Sequence, residues 1–248
     1  MLLYVLKIYI FIKLFLIKFE IFMINNYKIF EKTFLKADLL DKLLPYQLSD
    51  NYLLNKKHMK KMNNTFILFT DIVSFCELAE KYSDVIIYMI LFDLYTKFDN
   101  VIKTCKYVKK IETIGDSYMV VGDLNNNGTK EEIINELLYL SFKFIDIAAN
   151  LRTPSHKLKI RVGIHVGSVV IGILGFENPR LCIVGKAVNK ASRIQNYAQS
   201  NTLLISEQVY EICKDIKSHY SYDKFEDVLL KNIGTVDLYL VNNRLIIV

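Results

Sequence analysis

Tryptophan is missing from this 248-residue chain, and proline and glycine are sparse, at three and nine residues. That scarcity leaves little room for disordered linkers, and the length suits one ample α/β domain with an extension. The absence of tryptophan, beside abundant Asn, Lys, Ile and Tyr, reflects AT-rich coding DNA and bears on origin rather than function. Cysteine occurs only at Cys76, Cys105, Cys182 and Cys213, never as C-x-x-C, which argues against a zinc site or a disulfide framework and fits a reducing, cytoplasmic setting. His58, His156, His165 and His219 share no ligand spacing and read as surface or core residues. The net charge is only +6 and is densest at Lys56-Lys57-His58-Met59-Lys60-Lys61, so no nucleic-acid groove is indicated and the cluster reads as a solvated loop. No internal repeat is present.

Long uncharged apolar runs are also lacking. Residues 1–26 are rich in Leu, Ile, Phe and Tyr, but Lys7, Lys13, Lys18 and Glu20 interrupt them before the roughly 18 to 20 residues of an ordinary membrane span. No short apolar region with an A-x-A cleavage site marks a signal peptide. A soluble helix would expose too many large apolar side chains, so the segment is expected to associate with a membrane. Three forms stay open: the inner end of a spanning helix, an interfacial helix, or the start of a fragment of a longer protein. The next stretch, Phe34 to Pro45, has apolar residues at 35, 39, 40, 43 and 44, a helical stripe that needs a partner. We divide the chain into an apolar N-terminal segment (1–33), a helix with a basic loop (34–60) and an α/β domain (61–248).

Within that domain the patterning predicts a strand at 65–70, helices at 75–81 and 84–104, a hairpin at 107–122 and a helix at 130–150. Strands follow at 158–166 and 168–174, then a helix at 185–199, a strand at 202–205, a helix at 206–216 and a hairpin near 225–247. The order gives an α/β (α+β) fold: a ferredoxin-like βαββαβ core with extra hairpins and helices over one face of the sheet.

Two acidic residues stand out. Asp71 follows the apolar run Phe66 to Phe69 and precedes Ser74-x-x-Glu77, which reads as a capping box, so Asp71 is expected in a strand-to-helix turn beside N–H groups able to meet phosphate. Asp116 sits where the chain folds back around Gly115, a tight hairpin. Two hard oxygen ligands at adjacent strand ends suit Mg²⁺ or Mn²⁺. Asn189 and Arg193 stand four apart on one helix face, able to hold a ribose and a phosphoryl oxygen, while Ala187 and Ala191 keep that helix slim enough for a close neighbour. Arg161 begins a strand and could reach a polyphosphate.

Together these stretches resemble the class III nucleotidyl cyclases, and more closely their guanylyl branch, from about Phe34 to Val241. The resemblance implies that Asp71, Asp116 and the Ile72 carbonyl bind two Mg²⁺ or Mn²⁺ ions, and that Asn189 and Arg193 are catalytic, orienting the ribose and stabilising the transition state. It places Ser74, Phe75, Cys76, Arg161 and Lys231 at the phosphates, with Ser74 and Cys76 standing where Gly and Thr are usual. Lys186 stands where an Asp is usual, and Ile233 where a second lysine would follow Lys231. Glu112 and Cys182 occupy the base-reading positions, where adenylyl cyclases carry Lys and Asp. A carboxylate accepts hydrogen bonds from the N1–H and 2-amino group of guanine, which adenine does not offer. The implied activity is conversion of GTP to cyclic GMP across an interface, in a homodimer or with a second cyclase domain. A weakly active or inactive regulatory half-site and an adenylate cyclase are the alternatives.

Overall fold

The computed structural model describes residues 59–244, apart from 123, 125–127, 154–156, 176, 178–179, 215 and 217–218, together with residues 18, 23–24 and 27–28. The membrane expectation for residues 1–26 and the coupling helix at 34–45 fall almost wholly outside these residues. Among the described residues no helix is long and apolar enough to cross a membrane. The chain divides into two compact units, one of Met1–His58 with Gly175–Arg180 and one of Met59–Leu174 with Leu181–Val248. The second carries every candidate site residue.

The strands are β1 (Met59–Ile72), β2 (Val108–Ile114), β3 (Ser117–Gly122), β4 (Ile160–Leu174), β5 (Arg180–Val184), β6 (Leu203–Ser206), β7 (Tyr220–Leu230) and β8 (Gly234–Asn243). The helices are α1 (Phe75–Lys81), α2 (Asp84–Ile102), α3 (Lys130–Asn150), α4 (Lys186–Tyr197) and α5 (Glu207–Cys213). The eight strands form one sheet in the order β2-β3-β1-β4-β6-β8-β7, with β5 paired to β4. The segment β2-β3-β1-β4 is the ferredoxin-like βαββαβ arrangement the patterning predicts.

Strand β1 is central because Phe66, Ile67, Leu68 and Phe69 are all buried, so it offers apolar side chains to both faces. On one face Phe66, Leu68, Tyr118, Val120, Val162 and Ile164 pack with Leu94 and Phe98 of α2 and Leu137 and Phe144 of α3. Helix α3 starts where predicted, on a Thr129–Glu132 capping box with both reciprocal bonds made, at 2.8 and 3.2 Å. The other face carries α4, whose Ile194, with the C-cap residue Ala198, joins Leu204, Val228, Leu230 and Leu238 in a separate core. Helices therefore cover both faces rather than one.

Four further expectations are corrected. Met59–Lys61 are not loop but the start of β1, paired with Val170–Gly172. The strands expected at 158–166 and 168–174 are one continuous strand, because Gly167 pairs with Thr65 and does not break the ladder. Strand β5 was not anticipated. Asp71 lies within β1, and Ser74 makes no capping box: it is in the left-handed conformation (φ 55°, ψ 39°) and its side chain accepts no cap bond.

Candidate active site

At the end of β1, pairing decides what meets what. Asp71 lies directly opposite Arg161 of β4, and the Arg161 guanidinium (Nη2) donates to Asp71 Oδ2 at 2.8 Å. The same arginine reaches the Asn196 carbonyl at the end of α4, at 3.3 Å. Its Nε is buried without a partner. The hydroxyl of Ser117, first residue of β3, donates to Asp71 Oδ1 at 2.9 Å.

Asp116 arrives on the two-residue turn Gly115-Asp116 between β2 and β3. Gly115 has φ +60°, the conformation a two-residue hairpin needs at its first loop position. Burial, the Asp71 charge and a hydrogen bond with Asp71 push the Asp116 carboxyl up to about 6, against a donated N–H from Ile72. A carboxyl whose ionisation is opposed by burial and by a neighbouring carboxylate is what a divalent cation relieves. Among the described residues no group of three or more His, Cys, Asp or Glu is gathered to hold an ion. The side-chain oxygens brought together here are those of Asp71 and Asp116. That limited oxygen set fits Mg²⁺ or Mn²⁺ completed by water and substrate phosphates.

Ser74 occupies the N-cap position of α1 and Phe75 and Cys76 begin it, with Val73 between Ser74 and the end of β1; Ser74 and Cys76 are exposed and Phe75 is packed on the main core. Since Ser74 pays left-handed strain without making a cap bond, Ser74→Gly is expected to stabilise the fold by about 1 kcal/mol, read as a rise in melting temperature.

Helix α4 runs along β4 because two glycines admit it. A Cβ on Gly163 would lie 2.3 Å from the Gln195 backbone N, and one on Gly167 would lie 2.7 Å from Ala187 Cβ. The expected slimness at Ala187 and Ala191 is real: both are buried against the sheet. Asn189 and Arg193 lie on the helix's outer side, the first exposed and the second half-buried. They do share a face, and it points away from the sheet.

The remaining residues are dispersed. Glu112 is half-buried on β2, opposite Met119, and Cys182 is half-buried on β5, which pairs with β4, three strands away from β2. Lys231 is exposed in the β7–β8 turn. Val241 of β8 shares a row with Leu203 and Val162 near Arg161, whereas Gly234, beside the turn, lies about 23 Å down the strand, so Lys231 is at the opposite end of the sheet from Asp71. One chain gathers Asp71, Ile72, Asp116 and Arg161 and leaves Asn189, Arg193, Lys231, Glu112 and Cys182 outside that cluster. His165 is buried against Ser206, its Nδ1 2.8 Å from the hydroxyl, and burial holds its pKa down to about 4. It is the core residue its lack of ligand spacing suggested. Ser117 was not anticipated at the site, although it adjoins Asp116 in sequence.

The family model "Adenylate and Guanylate cyclase catalytic domain" matches residues 57–243. The receptor-type guanylate cyclase gcy-13 of Caenorhabditis elegans is 32% identical over 210 residues, covering 82% of this chain and 20% of that protein. The soluble guanylate cyclase gcy-31 of the same organism is 33% identical over 190 residues, covering 75% of this chain and 26% of the relative. The chain thus spans about a fifth to a quarter of the length of these relatives. Among solved structures, the guanylate cyclase domain of RhGC from Catenaria anguillulae in complex with GTP superposes with a TM-score of 0.69 at 26% identity, covering 75% of this chain and 99% of that one.

Proposed function

Because the chain belongs to the adenylate and guanylate cyclase catalytic domain family, we propose that it converts GTP to 3′,5′-cyclic GMP and pyrophosphate. The observation that carries the guanine preference is Glu112, a half-buried carboxylate at the base-reading position. It accepts from the N1–H and 2-amino group of guanine, and Cys182 is assigned to the base as well.

In this reading the ribose 3′-oxygen attacks the α-phosphorus in line, and the bond to the β-phosphate breaks. Two Mg²⁺ or Mn²⁺ ions held by Asp71, Asp116 and the Ile72 carbonyl would supply acidification of the 3′-hydroxyl and neutralisation of the triphosphate. Arg161, Lys231 and the backbone at Ser74, Phe75 and Cys76 bind phosphate oxygens. Asn189 orients the ribose, and Arg193 offsets the charge that grows on the α-phosphoryl oxygens.

The outward face of α4 and the remote Lys231 support a site completed by a second domain, either another copy or a related cyclase domain. We assign the catalytic domain to residues 61–248 with Met59 and Lys60 extending its first strand, residues 34–60 to coupling, and residues 1–33 to a membrane-proximal segment of a larger signalling protein. The catalytic part then works on the cytoplasmic side, where GTP is present.

The test is production of cyclic GMP and cyclic AMP from GTP or ATP with Mn²⁺ over a range of protein concentrations. Cyclic GMP rising more steeply than protein concentration is expected; no product at any concentration sinks the reading for this chain alone. Glu112→Lys combined with Cys182→Asp should lower the GTP-to-ATP preference by at least about tenfold, because the exchanged groups no longer match guanine. An unchanged ratio would remove these two residues from base selection.

A further inference from the structure

The turn that carries Asp116 is the tip of the β2–β3 hairpin at the edge of the sheet. Among the described residues strand β2 is an edge strand, paired with β3 alone, and its register slips between Lys110 and Glu112. Strand β3 is held by β1 and, through Ser117, by Asp71, whereas the β2 side of the hairpin has no second strand beside it among the described residues, so something outside the sheet must brace it. Helix α2 does so at three points. The Tyr95 hydroxyl donates to the Gly115 carbonyl at 3.0 Å, at the tip itself. One turn further on, the Asp99 carboxylate accepts the Tyr118 hydroxyl of β3 and the Lys110 ammonium of β2, the latter at 3.0 Å. The Tyr95 and Tyr118 rings lie 5.3 Å apart, and Tyr118 meets Phe98 edge-on at the same separation, so the hydroxyls are aimed by a packed aromatic cluster.

Only one of these ties acts on the turn. The Asp99 contacts fix the legs of the hairpin, whereas Tyr95 fixes the peptide immediately before Asp116. We propose that Tyr95 is a positioning residue for the cation site, holding the Gly115-Asp116 turn so that the Asp116 carboxylate stays within bridging reach of Asp71. The inference rests on the reading of Asp71 and Asp116 as cation ligands and not on the identity of the nucleotide.

The experiment uses the full chain and Mn²⁺ alone, with free ion followed by electron paramagnetic resonance. Tyr95→Phe keeps the ring and removes only the hydroxyl, so it should weaken Mn²⁺ binding about fivefold, the ratio one net hydrogen bond is worth. The Mn²⁺ concentration giving half-maximal activity should move by the same factor, with the rate at saturating Mn²⁺ little changed. Tyr118→Phe, which removes a hydroxyl from the same cluster but bonds a leg, should lower the melting temperature without moving Mn²⁺ affinity. Unchanged affinity in Tyr95→Phe, or equal weakening in both variants, overturns the proposal. Absence of saturable Mn²⁺ binding by the parent chain overturns the cation site and this inference together. Binding that Tyr95→Phe weakens, in a chain that makes no cyclic nucleotide, upholds the inference while rejecting the guanylate cyclase reading.

Discussion

Asp71→Ala is expected to lower cyclic GMP formation by roughly a thousandfold, about 4 kcal/mol of transition-state stabilisation. The side chain is the point where three groups converge: Arg161, Ser117 and the Asp116 carboxyl all contact it. Its removal takes away one of the two carboxylates proposed to hold the cations and leaves the guanidinium of Arg161 without its anionic partner. The fold should survive, because the Asp71–Arg161 pair is partly solvated and repulsion on Asp116 is relieved at the same time. Asp116→Asn separates these effects. With its pKa raised to about 6, the carboxyl contributes fully below pH 4, and that contribution is lost as the pH rises through 6. At pH 7.5 without divalent cations the Asn variant should therefore melt higher than the parent, and addition of Mn²⁺ should stabilise the parent and not the variant. A melting temperature lowered by Asp116→Asn would contradict the raised pKa. If instead the chain is a regulatory half-site, Asp71→Ala would leave the activity of a mixed pair intact, since the partner would supply the cation ligands.

Gly163→Ala should cost at least about 3 kcal/mol, more than ordinary overpacking, because the new Cβ would lie 2.3 Å from the Gln195 N and 2.6 Å from its Cα. Both are backbone atoms, so no rotamer change relieves the clash. For a chain of this size that loss corresponds to a fall in melting temperature of about 6 to 12 °C. The helix that must retreat is α4, which carries Asn189 and Arg193, so activity should fall even at temperatures where the variant is folded. Gly115→Ala is the control. Its Cβ would meet nothing within 4 Å, and only the positive φ penalises it, by about 1 to 2 kcal/mol. Equal destabilisation by the two substitutions would remove steric packing under α4 as the cause.

Much of the fold follows from local pattern. The four-residue apolar run at Phe66, the hairpin at Gly115 and the 21-residue α3 obey rules that act within a few residues, so they appear where the sequence predicts them. The errors share a different origin. A capping box at Ser74 satisfied the sequence rule, but the chain leaving β1 bends through the left-handed region there and the hydroxyl makes no cap bond. Gly167 looked like a break between strands, yet pairing with Thr65 on a neighbouring strand carries the ladder through it. Met59–Lys61, polar enough for a loop, is held as strand by hydrogen bonds to β4, which composition does not record.

The same division runs through the candidate site. Which residue types are present, and that Asn189 and Arg193 share a helix face, is settled by sequence, because chemistry and helical period are properties of short stretches. That Arg161 lies on Asp71 is settled by antiparallel register between segments ninety residues apart, and that α4 can rest on β4 is settled by what the missing side chains of Gly163 and Gly167 leave free. Only the folded sheet decides that Lys231 stands at the far end from Asp71 and that the α4 pair faces outward. Register and strand order arise from summed burial over the whole sheet, and no local segment contains that sum.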